Sequence, residues 1–321
     1  MESDWERQAP ELALDRPLLE ARLARALPAA RLVAAGSLAG GKSNTHLRLE
    51  LADRAPVVMR LHQRDAGACA REAAIHRLLA GRVPLPALLH AEAAPQDGGL
   101  PWMLLSWCPG ERLCDVLPAL RDADGPALGA ALGRVAATIH GARAYPGAGF
   151  LTPELALSTP LGPLGEHLRG WLDGRAGARL GPALSARLRG WLADRAEWLE
   201  EGPEGGVLCH ADFKQENLLV APRGDSWAPT AVLDWEFAFA GPCLFDLGQL
   251  LRREELLPPG FADGVAAGYA AVGPPLPADW RARAAALDLL NHVQFLDDPL
   301  DRPAVQAAAR ERIEHTLARW P

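Results

Sequence analysis

Lysine is almost missing from this chain of 321 residues: Lys42 and Lys214 stand against 31 arginines. A bias of that breadth is genomic in character, so it is informative that each lysine falls inside a motif-like stretch. Cysteine is sparse too. Cys69, Cys108, Cys114, Cys209 and Cys243 are scattered, odd in number and without a C-x-x-C pair. That excludes the usual zinc and dithiol signatures, and the five read as reduced, mostly buried small hydrophobes. No apolar run approaches the length of a membrane span, and the opening MESDWERQAPELALDRPLLE is acidic and broken by prolines, unlike a signal peptide. The expected setting is cytoplasmic, with no membrane partner. Basic charge is in deficit as well: the net charge of -7 argues against a nucleic-acid partner, since neutralising phosphates takes a basic surface. The acidity is uneven, because residues 1–110 carry 13 basic and 12 acidic side chains and the remainder carries 20 and 28. Repeats and low-complexity linkers are absent. With 49% apolar and 23% charged residues, the composition is that of a globular protein of one large domain or two moderate ones.

What is present begins with GSLAGGKS, residues 36–43, which fits the phosphate-binding pattern G-x-x-x-x-G-K-[ST] at Gly36, Gly41, Lys42 and Ser43, with Gly40 beside them. In a P-loop these glycines must open directly into a helix, whose first amides hold the phosphates. The residues that follow do not allow it. Leu47, Leu49 and Leu51 alternate with His46, Arg48 and Glu50, a period of two that predicts a half-buried strand. After a turn, Val57 to Leu61 predicts the next strand, and the apolar run Arg31 to Ala35 enters the glycines from the other side. The glycine stretch therefore joins strand to strand. Residues 66–80 predict a helix stopped by Gly81, with Glu72, Ile75 and Leu79 on one apolar face. A carboxylate at such a position calls for a buried cation. PWMLLSWCPGERL, from Pro101, predicts a buried strand ending in a Pro-Gly turn at a boundary between two lobes, and Ser106 and Cys108 near its end are candidate nucleotide-binding residues.

Beyond that turn the pattern becomes helical. Leu128, Leu132, Val135 and Ile139 mark one helix, the tryptophan-bearing segment 164–200 one or two more, and 278–296 and 303–318 two near the end. A β insert interrupts them between Val207 and Asp234. Within it, HADFKQENLLV (210–220) sets His210, Asp212 and Asn217 at the spacing of the kinase catalytic loop, and VLDWE follows with Asp234 at the end of a strand. On these residues the chain resembles the aminoglycoside phosphotransferase family, the small-molecule branch of the protein-kinase-like fold. The resemblance runs through most of residues 31–250. It implies an α+β, bilobal fold: a small β-rich N-terminal nucleotide-binding lobe, residues 1–107, and a larger, mainly helical catalytic and substrate-binding lobe, residues 108–321. The implied activity is transfer of phosphate from ATP or GTP, with Mg2+, to a hydroxyl of a small molecule.

The resemblance also implies roles. Asp212 matches the aspartate that orients the acceptor hydroxyl and accepts its proton. Lys214 lies where it reaches the transferred phosphate. Asn217 and Asp234 match the magnesium ligands, Glu236 assists, and oxygen donors are what that hard cation needs. The loop Gly36 to Ser43 becomes a flap across the nucleotide phosphates, and Ser43 loses its role as a P-loop magnesium ligand. One position departs from the protein-kinase pattern: the strand residue that grips nucleotide phosphates and pairs with the helix carboxylate is Arg60, not lysine, and Arg60 with Glu72 is the expected pair. Arginine keeps the charge but presents a planar fork. That departure keeps a second reading open, a nucleotide-binding pseudokinase-like module without transfer. A protein kinase is less well matched, since the chain has no Ala-Pro-Glu segment and little room for an activation loop. Asp246, in GPCLFDLG, is expected to open a helix and brace the catalytic loop, and His210 to be a structural hydrogen-bonding residue. The acidic pairs Glu254–Glu255 and Asp297–Asp298 read as solvated faces, or, on the family analogy, as acid that draws a cationic acceptor such as an aminoglycoside or amino alcohol. The acceptor itself and the oligomeric state are not written in the sequence.

Overall fold

The computed structural model describes residues 10–38, 44–63, 65, 67–199 and 205–321. Its N-terminal part consists of α1 (Arg16–Ala26), β1 (Leu32–Ser37), β2 (Thr45–Leu51), β3 (Val57–Leu61), α2 (Ala68–Leu79), β4 (Leu88–Glu92) and β5 (Trp102–Ser106). The strands form one antiparallel sheet in the order β1-β2-β3-β5-β4. As the period of two requires, Thr45, Leu47, Leu49 and Leu51 of β2 are buried and their neighbours are not. Helix α1 has a local start signal: Asp15 accepts a hydrogen bond from the Leu18 amide at 3.0 Å, and Pro17 sits in the first turn. Its Leu19 and Leu23 pack with Met59, Leu61, Trp102 and Leu104 on one face of the sheet. Cys69 and Ala73 of α2 pack with Met103 and Leu105 on the other. Alternation along β3 puts Arg60 on that second face, toward α2.

The C-terminal part contains β6 (Glu111–Arg112), α3 (Leu113–Val116), α4 (Asp124–His140), β7 (Ala144–Tyr145), β8 (Gly149–Leu151), β9 (Leu157–Pro160), α5 (Leu164–Asp173), α6 (Arg175–Leu180), α7 (Pro182–Ala193), β10 (Gly206–Cys209), β11 (Leu218–Arg223), β12 (Ser226–Val232), β13 (Phe239–Gly241), α8 (Leu244–Leu250), α9 (Phe261–Ala270), α10 (Trp280–Asp297) and α11 (Pro303–Arg319). The segment expected to hold one or two helices at 164–200 holds three, α5 to α7, because Gly174 and Gly181 each end a helical run and restart the next. The expected β insert supplies β10, β11 and β12, which join strands from outside it in two sheets, β7-β10-β13-β8-β9 and β12-β11-β6. Helices α4 and α9 pack backbone to backbone. A Cβ at Gly133 would lie 2.2 Å from the Val265 carbonyl oxygen, and one at Gly268 would lie 2.0 Å from that of Ala130, so neither position has room for a side chain.

Two cysteines, Cys69 and Cys209, are buried, whereas Cys108, Cys114 and Cys243 are half-buried. This corrects the expectation that most are buried: the three lie on short connections and helix ends, where cover is incomplete. Among the described residues no helix is long and apolar enough to cross a membrane. The result that matters for chemistry is the placement of strand ends. Strand β10 delivers the chain to His210, β11 takes it away after Asn217, and β12 returns it to Asp234, at the edge facing β3 and α2.

Candidate active site

The loop between β10 and β11 is fixed by its backbone. Asp246, in the first turn of α8 and fully buried, accepts hydrogen bonds from the amides of His210 (Oδ2, 2.8 Å) and Ala211 (Oδ1, 2.8 Å). Gln249, one turn on, closes a second clasp: its Oε1 accepts from the Phe213 amide and its Nε2 donates to the Ala211 carbonyl, both at 2.8 Å. Ala211 thereby holds φ +63°, and Asp234 also stands at a positive φ, +66°, left-handed values that cost a non-glycine residue about 1–2 kcal/mol. Asp246 also pairs with the His140 Nε2 at 3.0 Å, and the other His140 nitrogen meets the Tyr269 hydroxyl at 3.0 Å. The expected brace is in place, and His140 belongs to it.

His210 is wholly buried. Its Nδ1 accepts from the Asp212 amide at 3.1 Å and its Nε2 donates to the Leu233 carbonyl at 2.8 Å, which assigns the neutral Nε2–H tautomer. Burial lowers its pKa in the same sense, against the pull of Asp246, Asp212 and Asp234. It works as a spacer tying the loop between β10 and β11 to the strand end before Asp234. The Leu233 amide in turn donates to the Asn217 carbonyl at 2.8 Å.

Three of the expected residues converge on one carboxylate. Asp212 receives Lys214 Nζ at Oδ1 (2.9 Å) and Asn217 Nδ2 at Oδ2 (2.7 Å). Asn217 Nδ2 also donates to the Asp212 carbonyl at 3.0 Å. Both amide bonds use the nitrogen, which turns the Asn217 Oδ1 away from Asp212 as an oxygen donor. Asp234 adds an ionised carboxylate: burial opposes its charge, but Arg60 holds it well below the usual carboxylate range. An amide oxygen and an ionised carboxylate joined through the Leu233–Asn217 bond make a donor set that fits Mg2+.

Arg60 lies at the centre of the second cluster. It is 2% exposed, and its Nη2 reaches Asp234 at 2.6 Å, Glu72 at 3.1 Å and Glu236 at 3.9 Å. The expected Arg60–Glu72 pair forms, but the shorter contact is to Asp234, a hydrogen bond spanning 174 positions of sequence. Desolvation opposes the guanidinium charge and the three carboxylates raise its pKa. Glu72 is raised as well, up to about 8, by burial and by Asp234 and Glu236 against Arg60. One cation here serves three anions. Glu236 takes a hydrogen bond from Asn44 Nδ2 at 2.7 Å, and Arg71 donates to its carbonyl at 3.1 Å. Burial and the adjacent Arg60 keep His62 neutral.

Of the remaining candidates, Gly36 lies at the end of β1 with open space around its Cα. Gly40, Gly41, Lys42 and Ser43 lie outside the described residues. The Ser106 hydroxyl accepts from the Ala87 amide at 2.9 Å, and burial raises the Cys108 thiol while a bond with Ser106 partly offsets it. The acidic pairs are not free. Glu254 joins Arg281 and Arg319, Glu255 joins Arg312, Asp298 joins Arg302, and Asp297 accepts from the Arg175 amide. Intramolecular arginines thus pair with three of these four carboxylates, Glu254, Glu255 and Asp298. Sequence reasoning missed Asn44 and Gln249; the latter carried a signal, three residues after Asp246 on one helix face.

Residues 35–286 match the sequence profile of the phosphotransferase enzyme family. A search of curated proteins found no match. Similar solved structures include a thermostable mutant of aminoglycoside phosphotransferase APH(4)-Ia in ternary complex with AMP-PNP and hygromycin B, at 20% identity over 94% of this chain and 98% of that one, TM-score 0.66. Another is aminoglycoside 2'-phosphotransferase-IIIa in its GDP complex, at 18% identity over 95% and 99%, TM-score 0.69. A Thermobifida fusca protein ascribed provisionally to fructosamine-3-kinase matches at 20% identity over 93% and 98%, TM-score 0.61. These likenesses establish the kinase-like α+β fold, an N-terminal sheet followed by a mostly helical part.

Proposed function

Because this chain belongs to the phosphotransferase enzyme family, we propose that it transfers the terminal phosphoryl group of ATP, or of GTP, to a hydroxyl of a small molecule. Candidate acceptors are aminoglycosides and amino alcohols, and the proposed setting is cytoplasmic. The observation that carries the reading is the convergence of Lys214 and Asn217 on the Asp212 carboxylate, in a loop tied through Leu233 to the strand end bearing Asp234.

Asp212 orients the acceptor hydroxyl and takes its proton as the new oxygen–phosphorus bond forms and the bond to the leaving diphosphate breaks. Its two oxygens are held by Lys214 and Asn217, so little reorganisation is needed at that moment. Lys214 and Arg60 hold phosphate oxygens, Gly36, Gly40, Gly41, Lys42 and Ser43 cover the phosphates, and Glu72 positions Arg60. Ser106 and Cys108 complete the nucleotide side. Asn217 and Asp234, with Glu236 assisting, would hold Mg2+, whose charge offsets that of the triphosphate. In this scheme residues 1–107 form the nucleotide lobe and 108–321 the catalytic and acceptor lobe. Neighbouring structures bound to AMP-PNP and to GDP support nucleotide use.

The test is a screen of hydroxyl compounds for stimulated ADP or GDP release at fixed Mg2+, repeated with Asp212→Asn. The variant should lose turnover on the acceptor that responds while retaining nucleotide binding; turnover equal to the parent's removes Asp212 from its role. One observation favours a second reading, a nucleotide-binding protein without transfer: Arg60 occupies an Asp234 oxygen at 2.6 Å. Mg2+-dependent nucleotide binding with no acceptor-stimulated release across the panel would select it.

A further inference from the structure

We propose that the groove between α4 and the β11–β12 hairpin binds a small, flat polyanion, an apolar or aromatic body carrying two or more carboxylate, phosphate or sulfonate groups. The groove has a volume of about 580 Å³ and is lined by residues of three separate regions: Arg82 and Pro84 from the turn after α2, Arg134 from α4, and Arg223 and Trp227 from the hairpin. That volume falls in the range of small-molecule sites. Its lining includes neither the Asp212 loop nor Arg60.

Charge selects the ligand. The lining holds three arginines and no aspartate, glutamate or histidine, in a chain whose net charge is -7. Several arginines elsewhere are neutralised internally: Arg121 is matched to Asp124 at 2.7 Å and Arg252 to Asp288 at 2.7 Å. Among the described residues Arg82, Arg134 and Arg223 make no ion pair. Three unmatched guanidiniums around one concavity repel one another and offer planar forks suited to carboxylate, phosphate or sulfonate oxygens. Between them, Pro84, the alanine floor at Ala131 and the half-buried Trp227 supply apolar area and an indole face for a flat ring. A ligand of one charge leaves two arginines unmatched, and a wholly polar anion leaves the Trp227 face unused. Both features together define the class.

The test uses the intact chain and pyranine (8-hydroxypyrene-1,3,6-trisulfonate), a flat aromatic body with three anionic groups, read by fluorescence anisotropy. Binding should persist under saturating Mg2+ and AMP-PNP and weaken as salt is raised. It should fall about tenfold or more in Arg134→Gln/Arg223→Gln, which loses two charge-assisted contacts. Both positions are exposed, so the fold is retained. It should fall comparably in Ala131→Phe, which keeps every charge and fills the floor. Unchanged affinity in both variants, or displacement of the dye by AMP-PNP, overturns the proposal. Tighter competition by an octaglutamate peptide than by free pyranine also overturns it, because the groove would then dock an acidic protein segment.

Discussion

Glu72→Gln should stabilise the nucleotide-free protein at neutral pH, although it removes a buried carboxylate of the site. Glu72 is 1% exposed and its Oε1 receives no hydrogen bond among the described residues. The guanidinium 3.1 Å away is drawn closer to Asp234, at 2.6 Å. Burial raises Glu72 from its ordinary 4.5 to about 8, Asp234 and Glu236 acting in the same direction and Arg60 against them. A carboxyl raised in the folded state contributes fully below its unfolded pKa, and that contribution is lost as pH rises from about 4.5 toward 8. At pH 7 the folded chain retains a proton that the unfolded chain has released across roughly 2.5 pH units, at about 1.36 kcal/mol each, or about 3 kcal/mol. Glutamine has the shape of the protonated acid and carries no such cost. Urea unfolding of the two proteins should therefore differ by about 3 kcal/mol at pH 7 and by less than about 1 kcal/mol at pH 5. A variant less stable than the parent at pH 7, by an amount independent of pH, would refute the reasoning. It would mean that Glu72 is ionised and that Arg60 outweighs its burial.

Asp246→Ala orphans two buried amides and His140 Nε2; a loss of about 3–6 kcal/mol is expected in urea unfolding, with transfer activity falling as the loop relaxes. Gly133→Val would place its Cβ 2.2 Å from the Val265 carbonyl oxygen, forcing α4 from α9; thermal unfolding should report about 3 kcal/mol or more of destabilisation. His76 is buried, its Nδ1 donates to the Pro86 carbonyl at 2.9 Å, and burial lowers its pKa to about 4. Its contribution is present above its ordinary 6.5 and is lost as pH falls toward 4. His76→Gln should therefore flatten about 3 kcal/mol of acid-side instability, measured by unfolding at pH 7 and pH 4.

Where a signal is local, the chain announces it. The alternation of Leu47, Leu49 and Leu51 is the burial pattern of β2, and the helical spacing from Leu128 to Ile139 lies within α4. Asp246 was legible as a helix-opening brace because its neighbours resemble a known turn, and its hydrogen bonds to His210 and Ala211 follow. Helix α1 was legible but unread, since Asp15 and Pro17 are ordinary start signals. The three-residue strands β8 and β13 were not legible, because so short a run has no period and exists only through its partners. The same holds within the site. Glu72 called for a cation and found Arg60, but no pattern of spacing encodes that Arg60 would lean toward Asp234, 174 positions away. Nor does composition reveal that Glu254, Glu255 and Asp298 are already matched to arginines.

The two halves of the site are held by different forces, and this bears on why arginine is workable at position 60. The catalytic loop is fixed by Asp246 and Gln249 through hydrogen bonds to backbone amides, bonds that do not depend on what occupies the cleft. The β3–α2 side is held by charge, with one guanidinium within 4 Å of three carboxylates. A single guanidinium nitrogen, Nη2, lies between Asp234 and Glu72, so the Asp234 carboxylate stays ionised while a negative surplus remains in the cluster. That surplus favours any cation brought in at Asp234 and Asn217, and a cation there would weaken the hold of Asp234 on Arg60. Arg60 would then turn back to Glu72 and to an arriving phosphate. On the proposed function, arginine at this position would make cation binding and phosphate binding cooperative, since each would weaken the same contact between Arg60 and Asp234.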